Sequence, residues 1–200
     1  MAAPIEFYFD FSSPYGYIAS RRVDAIGAKF GREVTWRPFM LGAVFKVAGT
    51  LPLTQYPLKG EYSKHDFART ARLYDVPFNM PAKFPIATMA AARGFYWLEA
   101  NQPAKAKPFA RAAYQAYFAD GCDISDPTVL SAVADESGVD APTMLAGTQA
   151  PEIKERLKAV SAEAIERKVF GSPFLFVDGE PFWGADRLDM AERWLETGGW

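Results

Sequence analysis

The chain has almost no cysteine or histidine. Among its 200 residues, Cys122 is the only cysteine and His65 is the only histidine. A single cysteine cannot form a disulfide within the chain, so dithiol–disulfide exchange by one chain is excluded. A His/Cys metal cluster is excluded as well, because it needs more of these ligands than the chain contains. No spacing of carboxylates suggests a metal site either, and we expect no bound metal.

An excess of charge of one sign and a long apolar run are also lacking. The chain has 22 basic and 24 acidic residues and a formal net charge of −2, without a basic run or an acidic tail. This balance argues against nucleic acid or an anionic membrane surface as a partner. No apolar stretch approaches the length of a bilayer span, and the first six residues, MAAPIE, lack the features of an export signal. We therefore expect no nucleic-acid partner, no membrane partner and a cytoplasmic location.

The chain is rich in the hydrophobic and aromatic residues that form a protein core. Half of its residues are hydrophobic and 15% are aromatic. That composition suffices for one well-filled core or for two intimately packed subdomains.

The first 39 residues predict a β-α-β unit. Residues 6–11 are typical of a buried strand, an apolar stripe predicts a helix from Pro14 to about Lys29, and Val34 and Trp36 alternate with polar residues as in a strand. The handedness rule for such units implies two parallel neighbouring strands. Residues 38–57, rich in Gly and Pro, are predicted to be an extended excursion.

A helical section and a second sheet segment follow. The helices are predicted around residues 67–74, 86–100, 104–119, 126–138 and 153–164. Residues 174–177 predict a central strand, and Asp178-Gly179 predicts a hairpin turn that returns to Trp183 before a closing helix. The order β-α-β, helical insert, β-β-α predicts an α/β, thioredoxin-like fold interrupted by a large all-helical insertion. We expect a single integrated unit, residues 1–200, with a thioredoxin-like subdomain (1–39 and 169–200) and a helical insertion subdomain (40–168).

The first strand-to-helix joint has the sequence Ser12-Ser13-Pro14-Tyr15-Gly16. A helix start gathers unpaired N–H groups and a positive partial charge. In thioredoxin-like folds this corner carries the reactive sulfur, but here Ser13 occupies that position and Gly16 the position of the second cysteine. Any thiol chemistry must therefore use a thiol from elsewhere.

Four segments together resemble the 2-hydroxychromene-2-carboxylate isomerase family. They are FYFDFSSPYGYIAS, LGAVFKVAGTLP, LKGEYSKHDFARTARLYDVPFNMP and IERKVFGSPFLFVDGEPFWGADRL, in this order and spread over nearly the whole chain. The family is similar to the kappa-class glutathione transferases and, more distantly, to the DsbA-like periplasmic disulfide oxidases. The resemblance implies glutathione as cofactor, a small aromatic or electrophilic substrate and a homodimer.

Ser13 has two interpretations. As a structural residue it would cap the helix, with Pro14 in the first turn. The resemblance implies a catalytic role, because in this family the equivalent serine hydroxyl contacts the sulfur of bound glutathione. Lowering a thiol pKa by about two units requires about 2.7 kcal/mol. A helix start supplies about 0.3–1 kcal/mol, and up to about 2 in favourable cases, whereas a hydrogen bond to a charged acceptor adds about 1.5–3 kcal/mol. The helix start and the hydroxyl together therefore suffice, while the helix start alone falls short.

Ser172-Pro173 precedes the predicted central strand. Taken alone, it fits an ordinary trans proline at the first strand position. The resemblance implies a cis proline that faces the reactive helix start. The backbone N–H and C=O of Ser172 would then pair with the cysteinyl part of glutathione.

Gly184-Ala185-Asp186 opens the last helix, where Asp186 could simply be a capping carboxylate. The resemblance implies that this turn holds the γ-glutamyl end of glutathione, with free N–H groups for its carboxylate and Asp186 for its ammonium group. Relatives typically have Asn or Ser where Ala185 stands. We therefore expect a side-chain contact to be absent and the affinity for glutathione to be weaker.

Three further residues are assigned by the resemblance to the neighbourhood of the ligands. Lys59 matches a lysine near glutathione in the kappa class, although a solvated surface lysine fits the same position. Lys46 is the preferred partner for a substrate carboxylate. Thr50, in the same segment, stands where relatives usually have Asn.

The family implies a glutathione-dependent isomerase that interconverts a chromene carboxylate and a trans-o-hydroxybenzylidenepyruvate-like substrate through a glutathione adduct. Two alternatives stay open. One is a kappa-type glutathione transferase that releases the conjugate. The other is a non-catalytic glutathione-binding module, which the departures at Ala185 and Thr50 keep open.

Overall fold

The structure, a computed structural model, describes residues 3–200. Across these residues the chain forms four strands and ten α-helices. The strands are β1 (Ile5–Phe9), β2 (Val34–Pro38), β3 (Phe174–Val177) and β4 (Glu180–Trp183). The helices are α1 (Pro14–Ser20), α2 (Val23–Lys29), α3 (Leu41–Ala48), α4 (Lys59–Leu73), α5 (Met89–Asn101), α6 (Pro103–Phe118), α7 (Pro127–Glu136), α8 (Ala141–Gly147), α9 (Pro151–Glu166) and α10 (Leu188–Thr197). Two 3-10 helices cover Leu53–Gln55 and Ala185–Arg187.

The four strands form one sheet in the order β2-β1-β3-β4. β1 and β2 are parallel, with Ile5 opposite Val34, as the β-α-β pattern predicts. β3 is antiparallel to both β1 and β4. Asp178 and Gly179 join β3 to β4 with φ angles of 54° and 89°, the two positive values that a type I′ hairpin turn requires.

The central strand β1 is buried along its length, apart from a half-buried Glu6. Its aromatic rings pack edge-on against Trp36 of β2 and Phe95 of α5. The helices between β2 and β3 thus share a core with the sheet. The division at residues 39/40 and 168/169 into two subdomains stays a prediction.

An ion network attaches α9 to the sheet. The Glu6 carboxylate lies 2.8 Å from nitrogens of both Arg37 and Arg167. Glu163 of α9 accepts a hydrogen bond of 3.0 Å from the Tyr8 hydroxyl. Because Glu6, Tyr8 and Arg37 belong to β1 and β2, the network joins the long insertion to the central strands.

Two elements differ from the sequence predictions. The first helix is not continuous to Lys29, because Arg21 and Arg22 separate α1 from α2. Arg22 places its guanidinium 4.0 Å from the centre of the Tyr74 ring and pairs with Asp189 of α10. These are long-range contacts that local periodicity does not reveal.

The predicted extended excursion over residues 38–57 is also wrong, since it contains α3 and a 3-10 helix. α3 packs against α9. Leu41 and Val44 are its buried residues.

In the part of the chain that the structure describes, no helix is both long and apolar enough to cross a membrane.

Candidate functional site

The start of α1 lies at the carboxyl end of β1, where the buried Ser13 caps the helix. Its Oγ accepts a hydrogen bond from the Gly16 amide (3.0 Å) and donates one to the Ser172 carbonyl oxygen (2.7 Å). Pro14 occupies the first turn, as the capping pattern predicts. The hydroxyl that the resemblance assigns to a bound sulfur therefore already has an acceptor within the protein.

The loop before β3 faces this helix start. The Ser172–Pro173 peptide bond is cis, as the resemblance implies. The Ser172 Oγ accepts a hydrogen bond from the Asp10 amide at 3.0 Å. Among the hydrogen bonds of residues 3–200, none uses the backbone N–H of Ser172. A buried residue with a free N–H next to its own carbonyl offers an antiparallel pairing surface to a peptide ligand.

The last turn joins the same site through the backbone. The Gly184 amide donates to the Pro173 carbonyl oxygen at 3.1 Å, and α1 packs against the 3-10 helix that follows. Gly184 has a φ of 114°, and a Cβ there would lie 2.4 Å from Asp186 Oδ1. Only glycine therefore lets the Asp186 carboxylate fold back over the chain.

Ala185 and Asp186 differ in their surroundings. Ala185 is buried, so it can offer a ligand its backbone N–H but no exposed side chain. The Asp186 side chain is exposed and lies 3.1 Å from Arg187. Because the first N–H groups of a helical turn have no partner within the helix, this turn can receive a carboxylate.

The three residues assigned to the wider site are all exposed. Lys59 begins α4, with its ammonium 5.5 Å from the centre of the Tyr56 ring. Lys46 lies in the last turn of α3, and Thr50 follows that helix, its amide bonded to the Phe45 carbonyl oxygen at 3.0 Å. Within the described residues, none of the three is hydrogen-bonded to Ser13, Ser172 or the Gly184 turn. The structure thus brings together six of the predicted residues, Ser13, Ser172, Pro173, Gly184, Ala185 and Asp186.

Gly16 lies where the second cysteine of a dithiol site would stand. A Cβ built on it would lie 2.6 Å from the Tyr114 hydroxyl and 2.9 Å from the Ser172 Oγ. The Tyr114 hydroxyl is fixed there because it donates to the Asp10 carbonyl oxygen at 2.9 Å. The slot is therefore filled by two polar atoms and cannot take a second thiol without rearrangement.

Tyr15 and Asp66 join α1 to α4, a contact that the sequence analysis does not find. The Tyr15 hydroxyl donates to the Asp66 carboxylate. Burial and then this hydrogen bond raise the pKa of Tyr15 above its ordinary value. Burial by itself would raise the pKa of Asp66, but hydrogen bonds from Tyr15 and Arg69 outweigh it and lower that pKa. The two residues are 51 positions apart, so no local pattern reports the contact.

No protein sulfur belongs to this group of residues. Cys122, the chain's only thiol, is exposed in the loop that follows α6. Within residues 3–200 no group of three or more His, Cys, Asp or Glu side chains could hold a metal ion. The site offers hydrogen-bond donors and acceptors at a helix start, and a thiol at this place has to come from another molecule.

Comparison with known proteins identifies similar chains. A family profile described as a DSBA-like thioredoxin domain matches residues 4–196. The 2-hydroxychromene-2-carboxylate isomerase of Sphingobium xenophagum is 31% identical over 197 residues, which cover 98% of this chain and 99% of the relative. A solved structure of a 2-hydroxychromene-2-carboxylate isomerase is 29% identical, has a TM-score of 0.86 and covers 96% of this chain and 94% of the other. Glutathione S-transferase kappa 1 of Caenorhabditis elegans is 37% identical over 81 residues, 40% of this chain and 36% of the relative.

These matches and the order of elements confirm the α/β, thioredoxin-like fold with its helical insertion.

Proposed function

Because this chain belongs to the DsbA-like thioredoxin family and, within it, to the 2-hydroxychromene-2-carboxylate isomerases, we propose that it is a glutathione-dependent isomerase of that type. Its substrate class is a small aromatic α-keto acid with a conjugated side-chain alkene, interconverted with a chromene carboxylate. A cytoplasmic location and a homodimeric state are part of the proposal.

The observation that carries the proposal is the 2.7 Å hydrogen bond from the Ser13 Oγ to the Ser172 carbonyl oxygen. A serine hydroxyl has one proton to donate. That proton is donated to the carbonyl oxygen of Ser172, which is also the residue whose backbone would pair with a peptide ligand. The two groups that would recognise glutathione are thus already in contact.

The residues of this site fit glutathione. Ser172 has an unused N–H and a carbonyl for the cysteinyl backbone. The turn at Ala185 and Asp186 offers N–H groups for a carboxylate, and the Asp186 side chain is exposed and can meet an ammonium group. When bound, glutathione would supply a thiolate that adds reversibly to the conjugated alkene and leaves after rotation about the former double bond.

Docking and activation are coupled through Ser172. We infer that an amide N–H of the ligand takes the place of the Ser13 hydroxyl at the Ser172 carbonyl oxygen. Ser13 then turns its proton towards the sulfur, while its Oγ keeps the hydrogen bond from the Gly16 amide. A hydrogen bond to a charged acceptor is worth about 1.5–3 kcal/mol, which Ser13 gives to the thiolate and not to the neutral thiol. The chain therefore favours ionisation only once the tripeptide is in place.

The rest of the site positions the second substrate. Lys46 is the residue we assign to its carboxylate, with Thr50 on the same side of the site, whereas Lys59 is assigned to glutathione. Positioning of the alkene next to the nucleophile accounts for the remaining acceleration.

The test is isomerisation of trans-o-hydroxybenzylidenepyruvate with and without glutathione. We expect the rate to depend on glutathione and the total free thiol to be unchanged after many turnovers. S-methylglutathione should occupy the site and inhibit without supporting turnover. Equal rates without glutathione would refute the proposal.

The second candidate is a kappa-type transferase, favoured by the 37% identity to glutathione S-transferase kappa 1 over part of the chain. It predicts that thiol is consumed in proportion to product when a model electrophile is supplied. Loss of thiol without isomerisation would select this function.

A further inference from the structure

Asp10 is a deeply buried carboxylate, 3% exposed, that is held by hydrogen bonds alone. Its Oδ1 accepts from the Ser12 amide (2.8 Å), the Ser12 hydroxyl (2.9 Å) and the Thr88 hydroxyl (2.8 Å). Its Oδ2 accepts from the Leu41 amide at 2.8 Å. No lysine or arginine of residues 3–200 pairs with it. Such a group is tolerated in a core only when its lone pairs are satisfied, and here four donors satisfy them.

The backbone of Asp10 contacts the residues around the proposed sulfur position, Ser13 and Ser172. Its carbonyl oxygen accepts from the Ser13 amide at 2.9 Å and from the Tyr114 hydroxyl at the same distance. Its amide donates to the Ser172 Oγ. The position of Ser13 relative to Ser172 therefore depends on where Asp10 lies.

The side chain of Asp10 contacts the starts of two helices, of which α3 carries the residues assigned to the substrate. Leu41 begins α3, the helix that carries Lys46 and leads to Thr50. Thr88 is the N-cap of α5 and is buried. One carboxylate thus fixes the starts of two helices against the loop that contains Ser13.

We propose that Asp10 is the positioning residue that couples the two sides of the site. The inference rests on the proposed function, since it assigns α3 to the aromatic substrate. The Asp10 side chain keeps the electrophile, carried by α3, in register with the nucleophile at Ser13.

The charge of Asp10 has a second consequence. Burial raises the pKa of Tyr114, and the charge of Asp10 raises it further. The pKa of Tyr117 is raised by burial, by the charge of Asp123 and, to a smaller extent, by the charge of Asp10. A negative potential that reaches these hydroxyls also reaches the start of α1, where it opposes a thiolate. By this proposal Asp10 improves the positioning of the substrate relative to the thiol but disfavours ionisation of that thiol. The four hydrogen bonds that its carboxylate accepts limit the second effect.

The opposing effects give a test that a merely structural residue would fail. In a Cys122→Ser background, the substitution Ser13→Cys places a probe thiol at the helix start, and its pKa is read from thiolate absorbance without any glutathione. The added substitution Asp10→Asn removes a negative charge next to the helix start, so it should lower the pKa of the probe thiol by about 0.5 unit or more. Thr88→Val removes one donor but keeps the charge, so it should raise that pKa by a smaller amount.

The same two substitutions are then made in the otherwise unaltered enzyme. Asp10→Asn should lower kcat/KM for the aromatic substrate about tenfold, although the thiol ionises more readily, and Thr88→Val about threefold. Thr148→Val is the matched control, because Thr148 is equally buried and its hydroxyl has only local partners among residues 3–200, donating to the Leu145 carbonyl oxygen and accepting from the Gln149 side-chain amide. It should leave both quantities unchanged. Should Asp10→Asn fail to fold by circular dichroism, Thr88→Val carries the test alone.

Two results would overturn the inference. One is a probe-thiol pKa that moves in the same direction in both variants, and the other is a kcat/KM within twofold of the unaltered enzyme in both. Absence of glutathione-dependent turnover in the unaltered enzyme would instead refute the proposed function, and the probe-thiol measurement would still decide the electrostatic part.

Discussion

The Ser13 hydroxyl has one proton to donate. Its acceptor is the Ser172 carbonyl oxygen or, under the proposed function, a bound sulfur. The structure shows the first arrangement, and the proposed function requires the second. The exchange takes only a rotation of the hydroxyl, since the Oγ keeps the hydrogen bond from the Gly16 amide in both states. Under the proposed function, the shared Ser172 carbonyl oxygen would make the site specific for a peptide-like thiol.

Gly16 is a residue whose lack of a side chain the site needs. Gly16→Ala should destabilise the fold by about 2–3 kcal/mol, because its Cβ would lie 2.6 Å from the Tyr114 hydroxyl in a filled core. Gly42→Ala in α3 is the matched control, since a Cβ there meets nothing within 4 Å, and it should stabilise the helix by about 0.5–1 kcal/mol. Chemical denaturation measures both values. Equal effects of the two substitutions would show that the slot is not closed.

Among the elements, α1 is the one on which the site depends, and it is short. Its seven residues end at Ser20, so its start is held by neighbours more than by its own length. Tyr15 fixes it to α4 through Asp66, and Ser13 fixes it to the loop before β3. Under the proposed function, the hydroxyl of Ser13 would therefore provide much of the stabilisation of a bound thiolate.

The Tyr15–Asp66 contact predicts a pH dependence. Because the folded pKa of Asp66 is lowered, its stabilisation is present above the unfolded value and is lost as the pH falls through the folded value. Tyr15→Phe removes one cause of the lowering, so it should raise the pKa of Asp66. The substitution should cost about 1–2 kcal/mol at pH 7, and the difference from the unaltered protein should shrink below about pH 4.

Denaturation at several pH values, with the Asp66 carboxyl followed by NMR, measures this prediction. A difference in stability that stays constant from pH 7 to pH 3 would contradict it.

At the scale of the whole molecule, the sheet and the insertion share one core and one ion network. Glu6 and Arg37 from the strands meet Glu163 and Arg167 from α9. The pKa of Glu6 is lowered, because the hydrogen bonds and charges of the two arginines outweigh its burial. Since these contacts cross from the insertion to the sheet, we expect that neither part unfolds alone.

We therefore expect one cooperative unfolding transition. In urea, tryptophan fluorescence and helical circular dichroism should give coincident midpoints. Glu6→Gln should lower both midpoints together. Two separated transitions would instead indicate independently folding subdomains.

Much of this could be predicted from the sequence, because the signals are local. The strands, the hairpin at Asp178 and the capped start at Ser13 each follow from a few neighbouring residues. The helix α3 was missed because Gly42, Gly49 and flanking prolines suggest a loop, although Leu41 and Val44 keep a helical spacing.

The remaining features depend on residues far apart in the chain. Asp10 meets Thr88 and Tyr114 across 78 and 104 positions, so their contacts follow only from the folded topology. Arg22, at the break between α1 and α2, likewise meets Asp189 across 167 positions.

The pKa of the bound glutathione thiol, followed by thiolate absorbance in the unaltered protein and in Ser13→Ala, tests the central claim most directly. Ser20→Ala is the control, because Ser20 is buried at the other end of α1 and bonds only to the Tyr17 carbonyl oxygen. We predict a thiol pKa below that of glutathione in solution, a rise of about one unit or more in Ser13→Ala with turnover at least tenfold slower, and no change in Ser20→Ala. An unchanged thiol pKa and undiminished turnover in Ser13→Ala would contradict the account.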